Sequence, residues 1–198
     1  MDDAAHMGTI ATKALALLIE AVEQVPDDSW QRPSNLEGWT VSELVGHATG
    51  STAKILTLVE GGEISRAPSE PADWVCEDRA ARLSDLAARL HDALPNADLN
   101  AMRPSPQGDV PAHRALTFPI ADLAIHSWDV HRSVGRMVEL PDDVLAFCQG
   151  FVDSLPEEAL RQPGAIGPAK PAPPDASATA RLMAFLGRAL EGRLPPTT

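Results

Sequence analysis

The sequence has no tyrosine, and aromatic residues make up only 4% of its 198 positions. Leucine, alanine and valine must therefore build most of the core. Cysteine is nearly absent too: Cys76 and Cys148 stand far apart and match neither a disulfide framework nor a zinc ribbon, so they read as free thiols in a reducing cytoplasm. Positive charge is scarce, with 16 Lys and Arg against 28 Asp and Glu and a formal net charge of −12. Phosphate recognition needs clustered cations, so nucleic acid and anionic membrane surfaces are excluded as partners. A small molecule or a protein is expected instead. No apolar run reads as long enough to span a bilayer. The N-terminal MDDAAHMGTIATKALALLIEAV is preceded by acids and interrupted by Glu20 and Glu23, unlike a secretory signal.

What is present is the composition of a globular protein, 44% hydrophobic and 22% charged. The length suits one domain with a sizeable core, or a bundle with a small appendage. Apolar residues recur at helical spacing over 4–25, closed by Pro26. The second helix has the clearest start in the chain. Thr40 as N-cap with Glu43 three positions on forms a capping box, Trp39 and Leu44 flank it as a hydrophobic staple, and Gly61-Gly62 ends it. Loop-like residues with Pro68 and Pro71 lead to a third helix over 77–94, carrying Leu83, Leu86, Leu90 and Leu94. After a segment broken by Pro104, Pro106 and Gly108, a fourth helix runs over 112–134, kinked or begun at Pro119, with Gly135 as its C′ residue. A fifth helix over 141–153 starts with Pro141 at N1 and acids in its first turn. The proline- and alanine-rich stretch 163–177 reads as an extended connector, and a last helix covers 177–190. There is no strand-like alternation and no internal repeat. The expected fold is all-α, an antiparallel four-helix bundle over 1–137 with C-terminal helices over 138–198 packed on it, as a monomer or homodimer.

The stretch ADLAIHSWDVHRSVG, residues 121–135, places unusual chemistry on the fourth helix. At about 100° per residue, Asp122 and His126 lie roughly 40° apart, and Asp129 returns to within about 20° of Asp122. The three share a face. His131 points elsewhere, and His113 lies on nearly the opposite side. His47 sits at the edge of the apolar stripe of the second helix, beside Leu44 and Ser51, and so faces a neighbouring helix. Two imidazoles and a carboxylate are a known zinc ligand set that leaves a fourth position open. Against this stands the plainer reading, with His47 a satisfied core histidine and Asp122 an ordinary paired side chain. His6, His91 and His131 read as surface or packing residues. Trp39 and Trp128 read as core and helix-entry anchors. Cys76 has nothing nearby to activate its thiol.

The stretches GWTVSELVGH, DLAIHSWDVHRSVG and PDASATARLMAFLGR, with the W-x-x-P-S-x-L-x-G-W-T-V lead-in, together resemble the mycothiol-dependent maleylpyruvate isomerase N-terminal-like family of the DinB-like metal-binding superfamily. The resemblance implies a four-helix bundle holding a divalent metal, usually zinc with nickel as the alternative, through His47, Asp122 and His126. It also implies mycothiol as co-substrate. The isomerase has a glutamate where Asp122 stands. The shorter acid means that the helices sit closer, that Asp122 binds through water, or that it orients another ligand; Asp129 is the reserve candidate for an outer or base role.

Three functions follow as expectations. The first is a zinc-dependent, cytoplasmic transferase or isomerase that activates mycothiol. S-transfer is favoured over isomerisation of a dicarboxylate, for which Arg132 is the one weak arginine candidate. The second is a metal-binding bundle without turnover. The third is a metal-assisted hydrolase with Asp129 as base.

Overall fold

The computed structural model describes residues 3–63, 69–104, 108–161 and 166–190. In chain order the helices are α1 (Asp3–Glu23), α2 (Val41–Val59), α3 (Arg79–Ala93), α4 (Ala112–Ala115), α5 (Thr117–Ser133), α6 (Asp142–Asp153), α7 (Glu157–Leu160) and α8 (Ala178–Phe185). The short strands β1 (Met102–Arg103) and β2 (Val110–Pro111) pair antiparallel between α3 and α4. Apart from this small pair the described fold is helical, as the sequence implies. Two-residue strands are too short to show alternation in a sequence.

Four helices form the bundle: α1 packs chiefly on α5 and α3, and α2 on the same two, so α1 and α2 face each other across a diagonal. Each helix buries the stripe that its sequence spacing sets. In α1 this is Met7, Ile10, Ala11, Ala14, Leu15, Leu18 and Val22. By length and composition α1 is apolar enough to cross a membrane, against the sequence expectation, but this stripe lies in the protein core. In α3 the stripe is Leu83, Leu86 and Leu90, with Asp78 capping the first turn; Leu94 falls in the 3-10 turn that follows. The central helices α2 and α5 are buried on most sides, and both carry buried polar residues.

Local signals set the helix ends. The capping box on α2 is complete: Thr40 Oγ1 accepts from Glu43 N, and the Glu43 carboxylate accepts from Thr40 N. Its far end closes in a Schellman turn, with Gly61 N donating to Leu58 O and Gly62 N to Thr57 O. The fourth helix of the sequence reading is two helices, α4 and α5, meeting at Leu116. Pro119 is the third residue of α5, where its missing N–H costs little. Gly135 takes the C′ position after α5, with φ +82°. Pro141 is the N-cap of α6, one residue before its expected place.

Beyond the bundle, α6 packs on α5 and α1, and an ion pair from Lys13 to Asp143 ties it to α1. Helix α8 packs on α6 and starts from Ser177, whose Oγ accepts from Ala180 N. It ends at Phe185, shorter than expected, because Gly187 at φ +81° turns the chain. Of the expected connector, 166–177 is extended apart from a turn near Asp175, whereas 163–165 lies outside the described residues. Pro68, Pro106 and 191–198 also lie outside them.

Candidate metal centre

His47 and Ser51 lie one turn apart on α2, and Asp122 and His126 one turn apart on α5. Because these two helices pack directly, the four side chains meet. His126 Nε2 lies 3.1 Å from Asp122 Oδ1, and His47 Nε2 lies 3.5 Å from Asp122 Oδ2. Ser51 donates to Asp122 Oδ2 at 2.7 Å. The donor atoms of His47, Asp122 and His126 all fall within 4.8 Å of one another. The two imidazoles meet edge to face, their centroids 5.1 Å apart. The shorter acid thus reaches both rings across a close α2–α5 contact.

Each imidazole is held from behind. His47 Nδ1 is 2.8 Å from the carbonyl oxygen of Ser69, so it carries the proton and donates. Residue Ser69 belongs to a strap, 69–75, that lies on α2 where Gly46 and Gly50 leave room. A Cβ on Gly50 would come within 2.5 Å of Ser69 Cβ, and one on Gly46 within 2.7 Å of Pro71 O. The ring of Trp39 lies 4.9 Å from that of His47, making Trp39 a wall of the site as well as a helix-entry residue. His126 Nδ1 lies 3.1 Å from Asp129 Oδ2. Asp129 is fully buried and also accepts from Asn35 Nδ2 at 3.0 Å and from Arg188 Nη2 at 3.2 Å.

The electrostatics follow from this packing. Burial alone would raise the Asp122 carboxyl, but the charge of His126 and hydrogen bonds from both imidazoles hold it well below the usual carboxylate range. Burial would lower His126; the charge and hydrogen bond of Asp122, joined by those of Asp129, carry it up to about 9 instead. Asp129 is held low against its burial by the charge of Arg188 and by His126. Lys54, two turns past His47 on α2, is lowered by burial while Asp122 draws it the other way. It is a cation beside the cluster that sequence reasoning did not single out.

The remaining sequence candidates fall elsewhere. Asp129 sits behind the His126 ring, on the side away from Asp122, with its oxygens engaged by His126, Asn35 and Arg188, which suits the outer role more than direct contact with a group at the cluster. Arg132 donates to the backbone oxygens of Arg136 and Leu190 and is buried, not aimed at the cluster. His131 is buried and its pKa is pushed down by that burial. His91 is exposed, and His113 pairs through Nδ1 with Leu99 O. Trp128 is fully buried, a core residue as its spacing implied. Cys148 lies in the core, its thiol pushed up to about 12 by burial. Besides Lys54, the residues that sequence reasoning gave no role at the cluster are Asn35, Ser69 and Arg188, and Ser51 was placed beside His47 without one. Only the glycine pair Gly46 and Gly50, four apart within a helix where glycine is costly, carried a readable signal of close approach.

A helical bundle with a partly buried His–Asp–His cluster, each ring backed by its own partner, defines a class of protein with a prepared site between two helices. Residues 11–131 match the family model described as the mycothiol maleylpyruvate isomerase N-terminal domain, and the chain belongs to that family. Among solved structures, the crystal structure of the mycothiol-dependent maleylpyruvate isomerase matches with a TM-score of 0.58 at 20% identity, over 73% of this chain and 67% of that one. A histidine-to-alanine mutant of that isomerase matches with a TM-score of 0.53 at 18% identity over the same shares. At this identity the likeness is one of fold, a mostly helical one. No curated protein matches the chain.

Proposed function

We propose that this protein is a metal-dependent enzyme that uses mycothiol, or a thiol like it, to transfer sulfur to an electrophile or to isomerise one, in the cytoplasm where such thiols are reduced. His47, Asp122 and His126 are the proposed metal ligands. The observation that carries this reading is the direction of the two rings: both Nδ1 atoms are engaged behind, by Ser69 O and Asp129, while both Nε2 atoms face one carboxylate. Tetrahedral zinc bonds of about 2.0–2.2 Å put neighbouring donors roughly 3.3–3.6 Å apart. The separations, 3.1 Å from His126 Nε2 to Asp122 Oδ1 and 3.5 Å from His47 Nε2 to Asp122 Oδ2, lie close to that spacing, and one donor atom from each residue lies within 4.8 Å of the other two. Histidines that ligate metal commonly give their other nitrogen to a carbonyl or carboxylate, which fixes tautomer and ring angle.

When bound, a divalent ion supplies the positive charge that keeps a thiol deprotonated at neutral pH. The chain's own residues do the rest. Ser69 O and Asp129 hold the Nδ1 protons, so that each Nε2 would be the nitrogen offered to the ion once its own proton has left. Ser51 holds Asp122 by one oxygen. Trp39 walls the His47 side. Family membership supports the thiol as co-substrate, and zinc is the proposed metal, with nickel the alternative.

The test joins metal content to activity. The purified chain should hold zinc or nickel stoichiometrically, and His126→Ala should lose it. Consumption of an electrophile should require added thiol and fall at least about 100-fold in the variant, the scale of losing a group on which catalysis depends. Metal that persists undiminished in His126→Ala, or turnover independent of thiol, would overturn the reading.

A further inference from the structure

The most elaborate support in the site comes from its most distant residue. We propose that Arg188, in the segment after α8, is a positioning residue of the cluster: it fixes the Asp129 carboxylate and, through it, the ring of His126. This rests on the metal reading above and adds that the C-terminal segment is a working part of the site.

Asp129 is a fully buried carboxylate, and a buried carboxylate needs both charge compensation and hydrogen bonds. Asn35 gives it a hydrogen bond but no charge. His126 faces it through Nδ1 but has to offer its other nitrogen to Asp122. Arg188 is the one permanent cation in contact with it among the described residues. It approaches with Nε 3.4 Å from both oxygens and Nη2 3.2 Å from Oδ2. A planar guanidinium engaged in this way restrains the carboxylate plane, which a point charge does not. That plane sets where His126 Nδ1 is held.

Arg188 is itself delivered by local geometry. Gly187 N donates to Ala184 O and Arg188 N to Met183 O, both at 2.9 Å, a Schellman turn with Gly187 at φ +81°. A Cβ on Gly187 would meet the backbone of Gly167 and Pro168 at 3.0 Å, so the turn is seated against the connector. Arg188 Nη1 donates to Leu186 O at 2.9 Å, which steadies the guanidinium from its own side. Arg161 anchors the same turn by donating to Phe185 O at 2.9 Å and to Gly167 O. Among the described residues Arg161 makes no contact with Asp129, so it helps to separate docking of the segment from action on the carboxylate. Arg188 also lies outside the stretch matched by the family model, 11–131.

The experiment uses the full chain and four variants: Arg188→Ala, Arg188→Lys, Arg161→Ala and Asp129→Asn. The imidazole 15N and 1H signals of His126 are recorded on metal-free protein, and Zn2+ affinity is measured by competition with a chelator. Arg188→Ala should shift or abolish the His126 Nδ1–H signal and weaken Zn2+ binding about 10–100-fold, the range of outer-shell losses. Arg188→Lys keeps charge and bulk without the planar contact; it should give a smaller loss with the same signal change, and it decides the matter if the alanine variant does not fold. Arg161→Ala loosens the turn but keeps the guanidinium on Asp129, so it should give a clearly smaller change in both readouts than Arg188→Ala. In an Asp129→Asn background, removing Arg188 should change affinity by about threefold or less, because the two act in series. An unchanged signal and affinity in both Arg188 variants would overturn the proposal. So would an equal loss in Arg161→Ala. If the parent takes up no stoichiometric zinc, the metal reading falls, and the imidazole signal on metal-free protein still decides whether Arg188 positions His126.

Discussion

His47 and His126 look like equivalent halves of one cluster, but they are held by different physics. His47 is backed by a neutral acceptor, the Ser69 carbonyl, delivered by a strap that lies on α2 because Gly46 and Gly50 have no side chains. His126 is backed by a charge, Asp129, which is in turn held by Asn35 from the lead-in to α2 and by Arg188 from beyond α8. The first arrangement depends on shape and the second on buried electrostatics. Errors of shape are absorbed by small shifts. A buried charge without its partner has no such relief.

The largest break in that comparison should come from Asp129→Ala. It removes the anion and leaves Arg188, about 10% exposed, without compensation. Removing one partner of a buried pair costs about 3–5 kcal/mol, and chemical denaturation of the metal-free chain should register a loss of that size. A loss under about 1 kcal/mol, the scale of an exposed pair, would mean that the charge arrangement behind His126 is far weaker than its burial implies.

A second difference is in pH. In the metal-free protein His126 titrates at about 9 rather than its ordinary 6.5, against burial and because of Asp122 and Asp129. A group raised in the folded state stabilises it fully below the unfolded pKa, and that contribution is lost as pH climbs through the folded one. Stability of the metal-free chain should therefore fall between about pH 6.5 and 9, by something of the order of 3 kcal/mol. Denaturant midpoints measured across that window check it, and His126→Gln should flatten the slope. A parent curve that stays level across the window would remove the electrostatic account of the His126 side.

Much of this fold was legible because its signals are local. The capping box at Thr40 and Glu43, the C′ glycines Gly61 and Gly135, and the stripes of α1 and α3 are each written within a few residues. The placement of His47, Asp122 and His126 toward one space followed from helical arithmetic on two segments. What surrounds them did not, because it depends on the tertiary path. Asp129 announces that a buried acid needs a cation, but nothing near it in sequence says which of 16 lysines and arginines arrives. Arg188 is fixed by a turn after a separate helix, 59 positions away. Ser69 acts through its backbone, so no side-chain pattern could mark it. The extent of the last helix was overestimated because the apolar spacing continues through Leu186 and Leu190, whereas Gly187 redirects the chain between them.

The smallest effect tests the shape side, and glycines in two helices make it a controlled comparison. In an exposed helix interior, Gly→Ala stabilises by about 0.5–1 kcal/mol through backbone entropy. Gly150 in α6 is such a position, since a Cβ there meets nothing within 4 Å. Gly50 in α2 is not: its Cβ would lie 2.5 Å from Ser69 Cβ and 2.8 Å from Trp74 Nε1, so the strap has to move. Overpacking of this kind costs about 1–3 kcal/mol, which the entropy gain partly offsets. Gly50→Ala should therefore destabilise modestly while Gly150→Ala stabilises. Displacing Ser69 O frees His47 to turn, so Zn2+ affinity should drop by about tenfold in Gly50→Ala, the low end of outer-shell losses, with the His126 imidazole signal unchanged. If that signal moves as much as it does in Arg188→Ala, the two rings are not independently supported, and the division between a side held by shape and a side held by charge is wrong.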